Sequence, residues 1–97
     1  MHNTIIEAIE NKLLLEFEYD GHYRLVESHT YGTFKTGKDT LVAYQIDGTS
    51  ERGNVPDWRP FTVSKITNLV LLEDTFVGTR KGYVQGDGRM ILIHAEL

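Results

Sequence analysis

Trp58-Arg59-Pro60-Phe61-Thr62-Val63-Ser64-Lys65-Ile66 is the stretch from which the fold can be read. Trp58, Phe61, Val63 and Ile66 are large apolar anchors, and Arg59, Thr62, Ser64 and Lys65 are polar handles set between them. On a strand, Phe61 and Val63 point to one face and Thr62 and Ser64 to the other. Pro60 has no backbone donor, so this strand belongs at a sheet edge or begins there. A strand with one apolar face needs partners, and the residues before it supply them.

Working back along the chain, Thr40-Leu41-Val42-Ala43-Tyr44-Gln45-Ile46 is β-branched and apolar on both faces, as a strand buried twice would be. Leu13, Leu15, Phe17 and Tyr19 alternate with Leu14, Glu16 and Glu18, a period of two. Asp20-Gly21 follows, the pair that a two-residue type I′ hairpin demands. His22 to Tyr31 should then return as a long strand, with Tyr23, Leu25 and Glu27 on one side and Arg24, Val26 and Ser28 on the other. Gly32 to Asp39 reads as a turn, and Asp47 to Asp57 as a loop holding Gly48, Gly53 and Pro56. Ahead of all this, Ile5, Ile6, Ala8 and Ile9 form the stripe of a short helix capped by Asn3 or Thr4 and stopped at Asn11.

Beyond the opening stretch, Thr67 to Leu72 makes a fifth strand and Phe76 plugs one end of the sheet. The class is therefore mainly β with one N-terminal helix. Five short strands with tight turns and no room for crossover helices indicate a small antiparallel barrel. Residues 1–76 form this unit. Residues 77–97 form a Gly-rich C-terminal arm, which packs on the barrel or on another subunit, and Met90 to Ala95 can return as a sixth strand.

Composition narrows the function classes. The 97 residues suffice for one modest core. No apolar run approaches the ~20 residues of a membrane span, and Glu7 and Glu10 interrupt what would be a signal sequence. There is no cysteine, hence neither disulfide framework nor thiolate metal site, and a cytoplasmic setting is expected. The formal charge of −4 argues against indiscriminate binding to nucleic acid or to an anionic membrane. The acid is concentrated before residue 24, so a local basic patch further on is compatible with it.

With the elements in this order, Leu15-Glu16-Phe17-Glu18-Tyr19, Arg24-Leu25-Val26-Glu27, Thr40-Leu41-Val42-Ala43-Tyr44, Arg59-x-Phe61-x-Val63-x-Lys65-Ile66, Leu69-x-Leu71 and Phe76 resemble a WYL domain over roughly residues 4–76. The ending, Gly82-Tyr83, Gly86-Asp87, Met90 and His94-Ala95-Glu96-Leu97, is similar to that of small stand-alone bacterial proteins related to WYL domains. Three positions depart from the pattern: Asp39-Thr40-Leu41 stands where Trp-Tyr-Leu would, Thr62 where a second arginine is common, and Ser28 where proline is common. The resemblance implies an Sm-like or SH3-like barrel. It also implies a ligand-sensing role in which a cluster of arginine and polar side chains meets nucleic acid or another anion. Carried over by position, Arg24, His29, Tyr31, Arg59 and Lys65 fall in that cluster.

Arg24, Arg59 and Lys65 can clamp a phosphate or carboxylate, the guanidinium forks matching those anions. The plainer alternative pairs the arginines with Glu27 or Asp57 as strand ties. Tyr31, Tyr44 and Trp58 can stack a base, although Tyr44 sits in the most buried strand, and Trp58 borders the long loop. His2, His22, His29 and His94 show no zinc spacing, and Ser28 and His29, as strand neighbours, point apart. The expectation is a non-enzymatic module without metal or cofactor that recognises a small anionic ligand or single-stranded nucleic acid. Its ligand surface comprises Arg24, His29, Tyr31, Trp58, Arg59 and Lys65. The rival is an oligomerisation or partner-binding subunit that uses the apolar residues of 77–97.

Overall fold

A computed structural model describes residues 1–50, 53 and 55–97. Its elements are α1 (His2–Glu10), β1 (Leu13–Tyr19), β2 (His22–Phe34), β3 (Asp39–Gly48), β4 (Asp57–Thr62), a 3-10 turn at Val63–Lys65, β5 (Thr67–Thr75) and β6 (Met90–Glu96). All six strands join one antiparallel sheet, so the mainly β class with one N-terminal helix holds. Along the hydrogen-bonded path the order is β4-β3-β2-β1-β5, and β6 pairs with β2 off that path. The 3-10 turn joins the two end strands in sequence. No ladder joins them among the described residues.

The first hairpin forms for the reason its sequence gives. Asp20 and Gly21 both have positive φ, +52° and +77°, as the type I′ turn requires. Tyr19 therefore faces His22 and Phe17 faces Arg24. Because β1 and β2 alternate in step, Leu15, Phe17 and Val26 all enter the core. Phe61 of β4 meets Phe17 and Tyr19 edge-to-face at 4.9 and 5.0 Å, although three ladder steps separate β4 from β1. The sheet therefore curls on itself. Ile5, Ala8 and Ile9 of α1 complete the same core, as the apolar stripe requires.

Four local expectations need correction. The helix begins at His2 with Met1 as N-cap, and neither Asn3 nor Thr4 caps it. The His2 ring is held instead by Tyr31, its Nδ1 2.7 Å from the hydroxyl, so a tertiary contact fixes the first turn. Val63 leaves the strand after Thr62 and turns through the 3-10 segment, so Phe61 and Val63 are not strand neighbours on one face. Gly32 to Phe34 belong to β2 rather than to a turn: Gly32 and Thr33 still pair with Thr40 and Asp39 of β3, and β6 pairs with all three from Met90 onward. A Cβ at Gly32 would run into the Leu92 carbonyl, so β6 can lie this close only against glycine. The fourth concerns the long loop. β3 runs on through Asp47 and Gly48, and Glu51, Arg52 and Asn54 lie outside the described residues.

The register of β2 decides which of its side chains enter the core. It shifts against β3 between Ser28 and Thr30, so His29 is bulged. Simple alternation ends there, and Glu27, Ser28, His29, Thr30 and Tyr31 are all buried in succession. No helix among the described residues is long and apolar enough to cross a membrane.

Candidate functional site

Arg24 enters the core side of β2 in phase with Val26 and is only 4% exposed. Its Nη1 donates to Gln45 Oε1 at 3.2 Å and its Nη2 to the Tyr19 carbonyl at 3.0 Å. Gln45 is itself oriented, since its Nε2 donates to the carbonyls of Asp47 and Thr49, leaving the amide oxygen for Arg24. The guanidinium carbon lies 5.6 Å from the ring centres of both Tyr19 and Phe61, a cation–π arrangement on two faces.

Arg59, on the edge strand β4, is 7% exposed. Its Nη1 donates to Asp57 Oδ2 at 3.3 Å and to the Trp58 carbonyl at 3.2 Å, and its Nη2 donates to Ser50 Oγ at 3.2 Å. Arg24 and Arg59 line one cavity of about 270 Å³ with Tyr19, Asp20, Ser50, Pro60 and Phe61. Lys65 stands next to it: its Nζ is 5.1 Å over the Tyr19 ring and 3.3 Å from Asp20 Oδ1. The curl of the sheet thus gathers Arg24, Arg59 and Lys65 around Tyr19. Pro60 contributes by what it lacks, because a residue without an N–H can sit on the edge strand without a vacant donor.

The other three sequence candidates go elsewhere. His29 is fully buried under the arm. Its Nδ1 donates to the Glu27 carbonyl at 2.9 Å, and its Nε2 accepts the Arg80 backbone N–H at 3.1 Å. A carbonyl only accepts and an amide N–H only donates, so these bonds fix the neutral tautomer protonated on Nδ1. Burial pushes its pKa below 6.5, against the opposing pull of the Glu27 carbonyl and carboxylate; the Arg80 charge adds to the lowering. Both ring nitrogens are occupied within the chain. Tyr31 is buried against His2 and His94, 4.9 Å from the latter, on the α1 side of the sheet. Trp58 meets His29 at 4.6 Å and donates from Nε1 to the Lys81 carbonyl at 3.0 Å, so the arm crosses its indole edge.

Arg80 is the residue that sequence reasoning missed. Its Nε and Nη2 reach Glu27 Oε1 and Oε2 at 2.7 and 2.9 Å, and its guanidinium lies 4.9 Å over the Tyr44 ring. Glu27 is therefore tied to the arm rather than to Arg24, as expected of side chains on opposite faces of β2. The Asp57–Arg59 pair, by contrast, is present. Nothing in a Gly-rich stretch marks Arg80 beforehand, because its partner is 53 residues away. Ser28 Oγ is buried and has no hydrogen-bond partner among the described residues, and His29 does not supply one. Among the described residues there is no group of three His, Asp or Glu side chains that could hold a metal ion.

No family model, no curated protein and no solved structure matches this chain.

Proposed function

We propose that the chain is a non-enzymatic binding module of WYL-like, Sm-type barrel design, and that it holds a small anionic ligand between Arg24 and Arg59. The observation that carries this reading is the convergence of two nearly buried guanidinium groups on one cavity. Burying a charge is costly unless it is paired and well hydrogen-bonded. Here Gln45, Tyr19, Ser50 and Asp57 hold the two groups in place, and an anion entering the cavity would meet them already oriented. Such preorganisation lowers the ordering cost of binding. Lys65 stands at the margin, paired with Asp20.

A small anion fits better than single-stranded nucleic acid. A strand needs an open platform of aromatic faces as well as cations. Here Tyr31 is buried, Tyr44 lies beneath Arg80, and Trp58 is crossed by the arm. The discriminating experiment titrates inorganic phosphate and a labelled short single-stranded DNA separately, at low salt. Saturable phosphate binding with DNA bound no more tightly per phosphate supports the reading. Tight DNA binding with no response to phosphate would replace it.

A second reading has its own observation. Ile91 and Leu92 are 66% and 55% exposed on β6, a strand whose only ladder among the described residues is with β2. An apolar edge strand of this kind is a template for pairing with another chain. If it joins two copies, Ile91→Lys should halve the mass measured by light scattering. An unchanged mass would remove that role.

A further inference from the structure

The cavity beside Arg24 has a neighbour on β4. A second cavity of about 330 Å³ lies between β3, β4 and the arm, and Arg59 and Pro60 line both. The walls of this second space are mostly apolar: Val42, Trp58, Pro60, Tyr83 and Val84. Asp87 and Arg89, also in its lining, form a bidentate pair at 2.6 and 3.0 Å, so they cancel and bring no net charge to it. The charge that distinguishes one end from the other is that of Arg24, because Arg59 lines both cavities and is paired with Asp57. The arm makes one wall, and it lies close because residue 82 is glycine; a Cβ there would come within 3.1 Å of Trp58 Nε1.

Two adjoining cavities, one polar and cationic and the other aromatic and apolar, share Arg59 and Pro60 in their linings. The volume of the second falls at the lower end of small-molecule pockets, enough for a small fused ring system. We infer that the ligand is a small aryl carboxylate. Its ring would lie against Trp58 and Tyr83, and its carboxylate would pass Arg59 toward Arg24. A guanidinium fork matches a planar carboxylate in two hydrogen bonds. This inference rests on the anion-binding reading and adds the chemical class of the ligand.

Trp58 is the one tryptophan in the chain, so its fluorescence reports on the second cavity directly. The test compares three probes on the intact protein: naphthoate, the corresponding uncharged naphthyl alcohol, and inorganic phosphate. Fluorescence follows the two naphthyl compounds, and amide chemical shifts follow all three. Naphthoate should bind at least about tenfold more tightly than either of the others, a gap of about 1.4 kcal/mol. Val84→Phe, a change at an exposed side chain on the cavity wall, should weaken naphthoate by about tenfold. The same variant should leave the melting temperature and phosphate binding unchanged.

Phosphate binding with naphthoate no better than the alcohol would overturn the inference and leave the anion site standing. Naphthoate binding that ignores Val84→Phe would also overturn it, by placing the ring elsewhere. Failure of both anions to bind would overturn the inference together with the anion-binding reading.

Discussion

The arginine cavity and the histidine clasp use similar residue types for opposite ends. In the clasp, His29, Glu27 and Arg80 answer one another. Both imidazole nitrogens are bonded, both carboxylate oxygens are bonded, and the guanidinium rests on Tyr44. In the cavity, Arg24 and Arg59 are as deeply placed, yet they face an opening of about 270 Å³. Both sets are bonded within the chain, and a buried polar group that is also enclosed on every side is a fastening. One that is held in place beside a cavity is equipped to meet something else. Residue type does not separate the two cases; the geometry around each group does.

The comparison can be broken by variants whose effects on stability and on binding diverge. The largest expected effect is on stability. His29→Ala removes a fully buried ring packed on Trp58, Phe76 and Tyr83 and strands two hydrogen-bonding groups. It should cost about 3–5 kcal/mol in urea unfolding. Any folded fraction should still bind phosphate, and loss of binding at equal folded fraction would move His29 into the site. Arg80→Ala comes next. It leaves the buried Glu27 carboxylate without its cation, although water can follow because Arg80 is half exposed, so the expected loss is about 1–3 kcal/mol.

On the cavity side the order of effects reverses. Arg24→Lys keeps the charge but not the fork that spans Gln45 and the Tyr19 carbonyl. It should weaken phosphate by about tenfold while costing only about 1 kcal/mol of stability. A variant that melts earlier but binds phosphate as before would make Arg24 a strand tie. Arg24→Ala is the poorer test, since truncating a side chain this buried confounds folding with binding.

The pH dependence sharpens the same contrast. His29 has a folded pKa below 6.5, so above that value neither state takes up a proton there. As pH falls below 6.5 the unfolded chain is protonated first, and stability drops until the lowered folded value is passed. The groups facing the ring are Glu27 and Arg80, which pull its pKa in opposite directions. Unfolding free energies measured across this range should decline in the wild type, with a shallower decline in His29→Gln. Equal slopes would mean that the clasp histidine is not the source.

How much could be read from the residues depends on how local each signal is. The first hairpin was legible because period-two alternation and Asp20-Gly21 act within a few positions. Pro60 announced an edge strand by chemistry alone, and β4 is at the end of the sheet path. That Arg24 and Arg59 line one cavity follows from the curl that brings β4 back against β1, which no single stretch of residues spells out. The fate of His29 and Trp58 could not be anticipated either. It depends on a bulge at His29 that cancels alternation and on an arm whose contacts with β2 span some fifty positions. Tyr31, two residues further along β2, likewise faces α1 and His94 instead of joining the arginines.

The most direct measurement is a titration of inorganic phosphate followed by NMR of the Arg24 and Arg59 side-chain Nε–Hε signals, at low and at roughly physiological salt. Saturable shifts at both guanidinium groups, weaker at the higher salt and absent from Arg80, are the predicted result. Shifts confined to exposed lysines, or none at all, would contradict an anion site between Arg24 and Arg59.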